Sequence, residues 1–332
     1  MLVSIIIPAY NAAGALEQCL RACLAQTYAD IEVLLVDDGS SDATPRIAQT
    51  FPVHYIRQPN RGPAAARNRG AAEARGDILA FTDADCVPER DWLERLVAAF
   101  EKGVDAVGGT YAIANPESAL ARMIHEEIAA RHARLGREVD FLGSFNMAYR
   151  KEVFQAVGGF DESFTMASGE DNDLAYRLRQ RGCRLRFVAD ARVAHFHPTR
   201  LAAYLRTQMW HGFWRVKLYV KHPQRIGCGD QYAGIADLVA PPLALVLLAA
   251  CPVLLVSAVA APDLFPSLGV LTALLGLVYL FLHLPLPARM AWRTGEPRMM
   301  LFVGIAALRN FARAIGMARG VGRFIIRRKT TA

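Results

Sequence analysis

Two aspartates, Asp83 and Asp85, separated by one small residue, follow a short apolar run at residues 78–81. If the backbone stays extended there, side chains two apart point the same way and Ala84 points the other, so both acids can serve one ligand. Paired carboxylates at a strand tip suit a hard divalent cation that keeps some waters and also holds substrate phosphates. A solvated turn is the plainer use of the same residues, since Asp is common in turns. Three more groups could do chemistry. Residues 37–42 form an acidic, glycine-containing turn with Asp37, Asp38 and Asp42; Glu170, Asp171 and Asp173 follow Gly169; His195 and His197 alternate on an extended segment and would face one way.

The elements that must position these groups are legible in the hydrophobic pattern. Residues 3–7 read as a buried strand ending at Pro8 and a Tyr10–Asn11 turn, and Leu16, Cys19, Leu20, Cys23 and Leu24 repeat at helical spacing. Residues 31–36 and 53–57 read as further strands, each followed by a helix; the second of these helices holds Arg67 and Asn68 after the Arg61–Gly62–Pro63 turn. Alternating strand and helix over the first 85 or so residues predicts a parallel, right-handed sheet covered by helices. Tyr10, Asp38 and the Asp83/Asp85 pair then lie at strand carboxyl ends, where open α/β sheets bind ligands. No G-x-G-x-x-G follows the first strand and no Walker A sequence occurs, which points away from dinucleotides and toward a mononucleotide diphosphate. Beyond the sheet, residues 91–100 read as a helix, 106–113 as a strand, 141–149 as a lead into a short helix, 183–188 as a strand with a second extended piece around Val193, and Asp171 and its neighbours as the first turn of another helix. Acids there also favour the helix dipole.

Six stretches in order, VSIIIPAYN, VDDGSSD, ARNRG, TDADC, NMAYRKEVFQAVGGFDESF and GEDNDLAYRLRQRG, resemble the family 2 glycosyltransferases of the GT-A fold. The resemblance implies a Rossmann-like, mostly parallel sheet and the transfer of a sugar, with inversion, from a nucleotide-diphosphate sugar, UDP by preference. It also implies roles. Pro8, Tyr10 and Asp38 line the base pocket, Arg67 helps hold the donor, Asp83 faces the ribose with Ala84 beside it, and Asp85 binds Mg²⁺ or Mn²⁺. Asp171 becomes the general base, with Glu170 as the acid beside it. His195, ahead of His197, completes the metal shell.

Charge and hydropathy divide the chain. Residues 1–232 hold 28 Lys and Arg against 28 Asp and Glu, whereas residues 233–332 hold 10 against 3 and so carry the whole net charge of +7. A basic, apolar tail fits an anionic membrane surface rather than nucleic acid. No charge occurs between Asp237 and Asp263, or between Asp263 and Arg289, and each gap exceeds the ~20 apolar residues that span hydrocarbon. The two spans make a hairpin, with Pro241, Pro242 and Pro252 in the first and Pro285 and Pro287 ending the second. Arg289, Arg293 and Arg298 after the second span place both ends in the cytosol. Residues 301–322, with Arg309, Arg313 and Arg323 on one face and Arg327, Arg328 and Lys329 following, read as an interfacial helix in preference to a third crossing.

The expected organisation is a catalytic domain at 1–198, a basic and aromatic interfacial helix at 199–235, two transmembrane helices at 236–290 and an amphipathic helix with basic tail at 291–332. No signal peptide is expected from the apolar run at residues 3–7, which is too short and has no basic residues before it. The expected setting is the inner (cytoplasmic) membrane, multi-pass, with the catalytic domain in the cytosol and a lipid-linked or glycan acceptor. A processive polysaccharide synthase is the alternative enzyme, but its Q-x-x-R-W is missing: Gln208 is followed by Met209, Trp210 and His211. A non-catalytic membrane scaffold or nucleotide sensor is the alternative from another class.

Overall fold

The computed structural model describes residues 1–101, 103–227 and 235–326, so Cys228 and the basic residues Arg327, Arg328 and Lys329 lie outside the described residues. The chain divides into two compact units, Met1–His197 and a second from Pro198 onward.

The first unit runs β1 (Val3–Ala9), α1 (Leu16–Leu24), β2 (Ile31–Asp37), α2 (Thr44–Ala48), β3 (His54–Arg57), α3 (Pro63–Glu73), β4 (Ile78–Thr82), β5 (Cys86–Pro88), α4 (Trp92–Ala98), β6 (Ala106–Ile113), α5 (Ala119–His132), β7 (Asn146–Arg150), α6 (Lys151–Ala156), α7 (Glu170–Gln180) and β8 (Leu185–His195). The strands form one sheet in the order β3-β2-β1-β4-β7-β6-β8-β5. The half from β3 to β4 is parallel, as the alternation of strand and helix predicts. In the other half β7 runs antiparallel between β4 and β6, and β5 antiparallel to β8.

Alternation within β1 supplies both layers of the core. Ile5 and Ile7 join Leu16, Leu20, Cys19 and Trp92 on one face, while Ile6 joins Leu79, Phe81 and Leu174 on the other. Each such side chain is fully buried, which stabilises by about 1.5–3 kcal/mol. A Cβ on Gly70 would stand 2.5 Å from Ile6 Cγ2, so only glycine lets α3 lie this close to β1. Cys19 and Cys23 are buried free thiols on the apolar face of α1.

Three expectations are corrected. Ala84 and Asp85 form a turn closed by the Cys86 N–H bonding the Asp83 carbonyl at 3.0 Å, so this stretch is not extended. The separate strands expected around residues 183–188 and 193 are the single strand β8. Pro285 and Pro287 do not merely end a helix; α10 stops before them and they open α11, where a missing N–H costs nothing.

The second unit comprises α8 (Leu201–Lys221), α9 (Ile235–Ala260), α10 (Phe265–Leu282), α11 (Pro285–Thr294) and α12 (Phe302–Val321). Among the described residues three stretches are long and apolar enough to cross a membrane: 236–260 and 265–294, with mean hydropathy 2.7 and 2.1, and 297–326, with 1.3. The third is the most buried within the protein, at 44% against 11% and 6%. Helix α12 packs tightly on α8, since a Cβ on Gly212 would lie 2.0 Å from the Arg313 carbonyl oxygen and one on Gly316 1.9 Å from that of Met209. Arg309 Nη1 bonds Tyr204 Oη at 3.4 Å and Arg313 Nε bonds Gln208 Oε1 at 2.9 Å, so these two arginines of α12 engage α8.

Candidate active site

The parallel register brings the carboxyl ends of β1 to β4 to one edge of the sheet. Ala9 pairs with Asp37 and Asp37 with Arg57, so the turns after β1, β2 and β3 begin side by side. Pro8 is buried within β1, and Tyr10 just beyond it is 55% exposed. Asn11 takes a left-handed φ of 49° and its Oδ1 accepts the Ser41 N–H at 2.9 Å, tying the first turn to the second.

Asp38 is 3% exposed, and its carboxylate is fully engaged. Oδ1 accepts from Gln58 Nε2 at 2.7 Å and the Arg61 N–H at 2.9 Å; Oδ2 accepts the Gly62 N–H at 2.8 Å. This fixes the loop entering α3, where Gly62 has φ +93° and no room for a Cβ, which would stand 2.6 Å from the Thr165 carbonyl oxygen. From that start α3 presents Ala64, Ala66, Arg67, Gly70 and Ala71 inward. Four of the five are small, and the arginine runs through the space they leave.

Arg67 is 1% exposed. Its Nη2 donates to Asp83 Oδ1 at 2.7 Å and its Nη1 to Glu170 Oε1 at 3.0 Å, while the guanidinium carbon lies 5.5 Å from the centre of the Phe160 ring. Glu170, also 1% exposed, opens α7 after Gly169. Burial first, then the charge of Asp171, pushes the Glu170 carboxyl up to about 7 against the pull of Arg67. Burial likewise raises Asp171, opposed by the Asn172 N–H, which Asp171 Oδ1 accepts at 2.8 Å, and by Arg67. Asp171 is partly exposed, whereas Glu170 is not.

Asp85 faces the other way around the turn and is half exposed, its Oδ2 3.5 Å from His195 Nε2. The β5–β8 pairing does this, since Cys86 lies opposite His195. The donor atoms of Asp85, Cys86 and His195 all fall within 4.8 Å of one another. His195 Nδ1 lies 3.3 Å from His197 Nδ1, and His197 is 4% exposed with its backbone clamped by Asn115 at 2.8 and 3.0 Å. Burial, then His195 and His125, lower the His197 imidazole to about 3, so it is neutral.

The structure thus joins Asp83, Arg67 and Glu170 in one buried network and Asp85 with His195 in a second, open one. Asp38 lies in neither; its hydrogen bonds hold a loop. Sequence reading missed Asn115, Cys86 as a neighbour of the acid–imidazole pair, and α5, which brings His125 and His132 to the ring cluster around Tyr111 and His197. Of these only Cys86 had a signal, its place directly after Asp85.

The family described as Glycosyl transferase family 2 matches residues 4–158, and the one described as N-terminal domain of galactosyltransferase matches residues 125–200. Glycosyltransferase AglE of Haloferax volcanii is 36% identical over 208 residues, 60% of this chain and 67% of that protein. Glucosyl-dolichyl phosphate glucuronosyltransferase of the same organism is 26% identical over 264 residues, 72% of this chain and 83% of that protein. Against another relative, at 32% identity, the chain spans 48% of that protein's length. Among solved structures, a mannosyltransferase from Pyrobaculum calidifontis in complex with GDP-Man and Mn²⁺ superposes with a TM-score of 0.58 at 20% identity, over 97% of this chain and 87% of that one, a likeness of fold. The chain is a glycosyltransferase and belongs to glycosyl transferase family 2.

Proposed function

We propose that this chain transfers a sugar, with inversion, from a nucleotide-diphosphate sugar to a lipid-linked acceptor at the cytosolic face of the inner membrane. The observation that carries the reading is the meeting of half-exposed Asp85 with His195, 3.5 Å apart, at the carboxyl edge of the parallel strands. A carboxylate oxygen and an imidazole nitrogen are donors that Mg²⁺ or Mn²⁺ accepts, and the exposed side of Asp85 leaves room for phosphate oxygens, so the residues present fit such an ion. Bound there, the cation would neutralise the charge that grows on the departing nucleoside diphosphate.

The remaining work falls to the chain's own residues. Asp83, held by Arg67, is the carboxylate nearest the donor's ribose. Asp171 takes the proton of the attacking acceptor hydroxyl, a task helped by the burial that makes it a stronger base than a solvated aspartate. Tyr10, exposed at the mouth, offers its ring to the base. The apolar helices support a membrane-borne acceptor, as does similarity to a relative named for a dolichyl phosphate sugar.

The test is a thermal-shift panel of the detergent-purified chain against UDP, GDP, CDP and TDP sugars with and without Mn²⁺, followed by transfer assays with polyprenyl phosphate. A ligand at ~100 times its Kd stabilises by about 2.7 kcal/mol. One donor should stabilise only with metal, and Asp171→Asn should keep that shift while transfer falls by about 10²–10⁴-fold. Transfer undiminished in Asp171→Asn would refute the base assignment.

A further inference from the structure

Arg67 resembles a donor-holding arginine by its motif, yet its position gives it another task. It is 1% exposed, and its two terminal nitrogens are committed to carboxylates from distant parts of the chain: Asp83, which begins the turn leading to Asp85, and Glu170, which directly precedes Asp171. Glu170 is itself 1% exposed, so neither partner in that ion pair is open to substrate. The Phe160 ring backs the guanidinium. Only a planar fork can serve two carboxylates in fixed directions; a lysine ammonium is a single point of charge on a flexible stem.

We infer that Arg67 is a positioning residue, which locks the Asp83–Asp85 turn to the first turn of α7 so that one buried guanidinium sets the donor side and the base side of the reaction against each other. The inference rests on the assignment of Asp171 as base. It explains why the face of α3 around Arg67 is built of alanine and glycine: small residues leave the side chain a path through the interior. It also explains the fully buried carboxylate at Glu170, one residue from the base, where a solvated acid would serve the helix dipole equally well. A misplacement of about 1 Å between reacting groups costs ~10²-fold in rate, and that is the size of effect a loosened lock should produce.

The experiment uses the full chain in detergent with three variants, Arg67→Lys, Glu170→Gln and the double variant. Affinity is read by titrating UDP and GDP in the presence of Mn²⁺. Turnover is read as nucleoside diphosphate released from whichever of UDP-glucose, UDP-N-acetylglucosamine and GDP-mannose the native chain uses. Arg67→Lys, whose ammonium still pairs with Asp83 but no longer spans to Glu170, should bind nucleotide within about threefold of native while turnover at saturating donor falls ~10²-fold. The double variant should lose no more than Arg67→Lys alone, because the two residues act as one unit. Nucleotide affinity falling in step with turnover, or losses that multiply in the double variant, would overturn the inference and make Arg67 a donor grip. If Arg67→Lys does not fold, Glu170→Gln decides alone: reduced turnover at unchanged nucleotide affinity supports the lock, and unchanged turnover refutes it. Native turnover in Asp171→Asn would instead remove the base assignment, an outcome separate from either result at Arg67.

Discussion

Two acidic turns in the first unit look alike in sequence and are used differently. After β2, Asp37 and Asp38 are 0% and 3% exposed, and donors from neighbouring segments fill their oxygens: the Ser40 N–H and Tyr55 hydroxyl for Asp37, and the N–H groups of Arg61 and Gly62 with the Gln58 amide for Asp38. After β4, the Asp85 side chain is 51% exposed and faces an imidazole across 3.5 Å. The first turn spends its charge on loop geometry, whereas the second leaves its carboxylate half exposed. The difference lies in where the surrounding donors are, and those donors are mostly main-chain groups that no side-chain pattern displays.

The contrast predicts opposite behaviour on substitution. Asp85→Ala should leave thermal stability near native and reduce metal-dependent nucleotide affinity ~10²-fold or more, read by titration with Mn²⁺ present; this is the largest binding effect expected. Asp38→Ala should do the reverse. It strands three donors, at about 1–3 kcal/mol for each that stays buried, so a loss of about 3 kcal/mol and a fall in Tm of roughly 6–12 °C is expected in a thermal melt. If Asp38→Ala melts like native and loses nucleotide instead, the two turns are not the contrast drawn here.

The acids at α7 sharpen the comparison through pH. Glu170 has its folded value raised to about 7, so the folded state binds its proton more tightly than the unfolded chain does. Its penalty is absent below the ordinary glutamate range and grows as pH rises toward 7, so stability falls across that window and levels off above it. Glu170→Gln should flatten that slope in denaturant melts between pH 4.5 and 7.5, and an unaltered slope would mean that Glu170 is ionised throughout. The smallest effect belongs to Tyr10→Ala, where loss of an exposed ring should weaken nucleotide binding about fivefold and leave Tm unmoved.

Much of this architecture was legible in the sequence because its signals are local. The β-branched runs specified β1 to β4, and the gaps between charges specified the long apolar helices. What escaped depended on long-range pairing. Strand β5 has three residues and exists because it meets β8, a pairing invisible in spacing. Helix α5 mixes Glu, Arg and His with small apolar residues and has no clean stripe. The extended reading of Asp83–Asp85 failed because an i to i+3 backbone bond outcompeted the strand. The motif around Arg67 implies a donor-holding arginine, whereas its burial among inward-packed alanines and its pairing with Asp83 and Glu170 depend on contacts far apart in sequence. Arg309 and Arg313 read as a face for lipid headgroups, but the fold engages them with Tyr204 and Gln208.

The most direct test of the central claim is Mn²⁺ binding followed by electron paramagnetic resonance in the native chain, in Asp85→Asn and in Asp38→Asn, with UDP and GDP as probes. The account predicts that native protein and Asp38→Asn quench the free Mn²⁺ signal when the correct nucleotide is added, and that Asp85→Asn does not. Equal quenching by native protein and Asp85→Asn would contradict it and place the cation elsewhere.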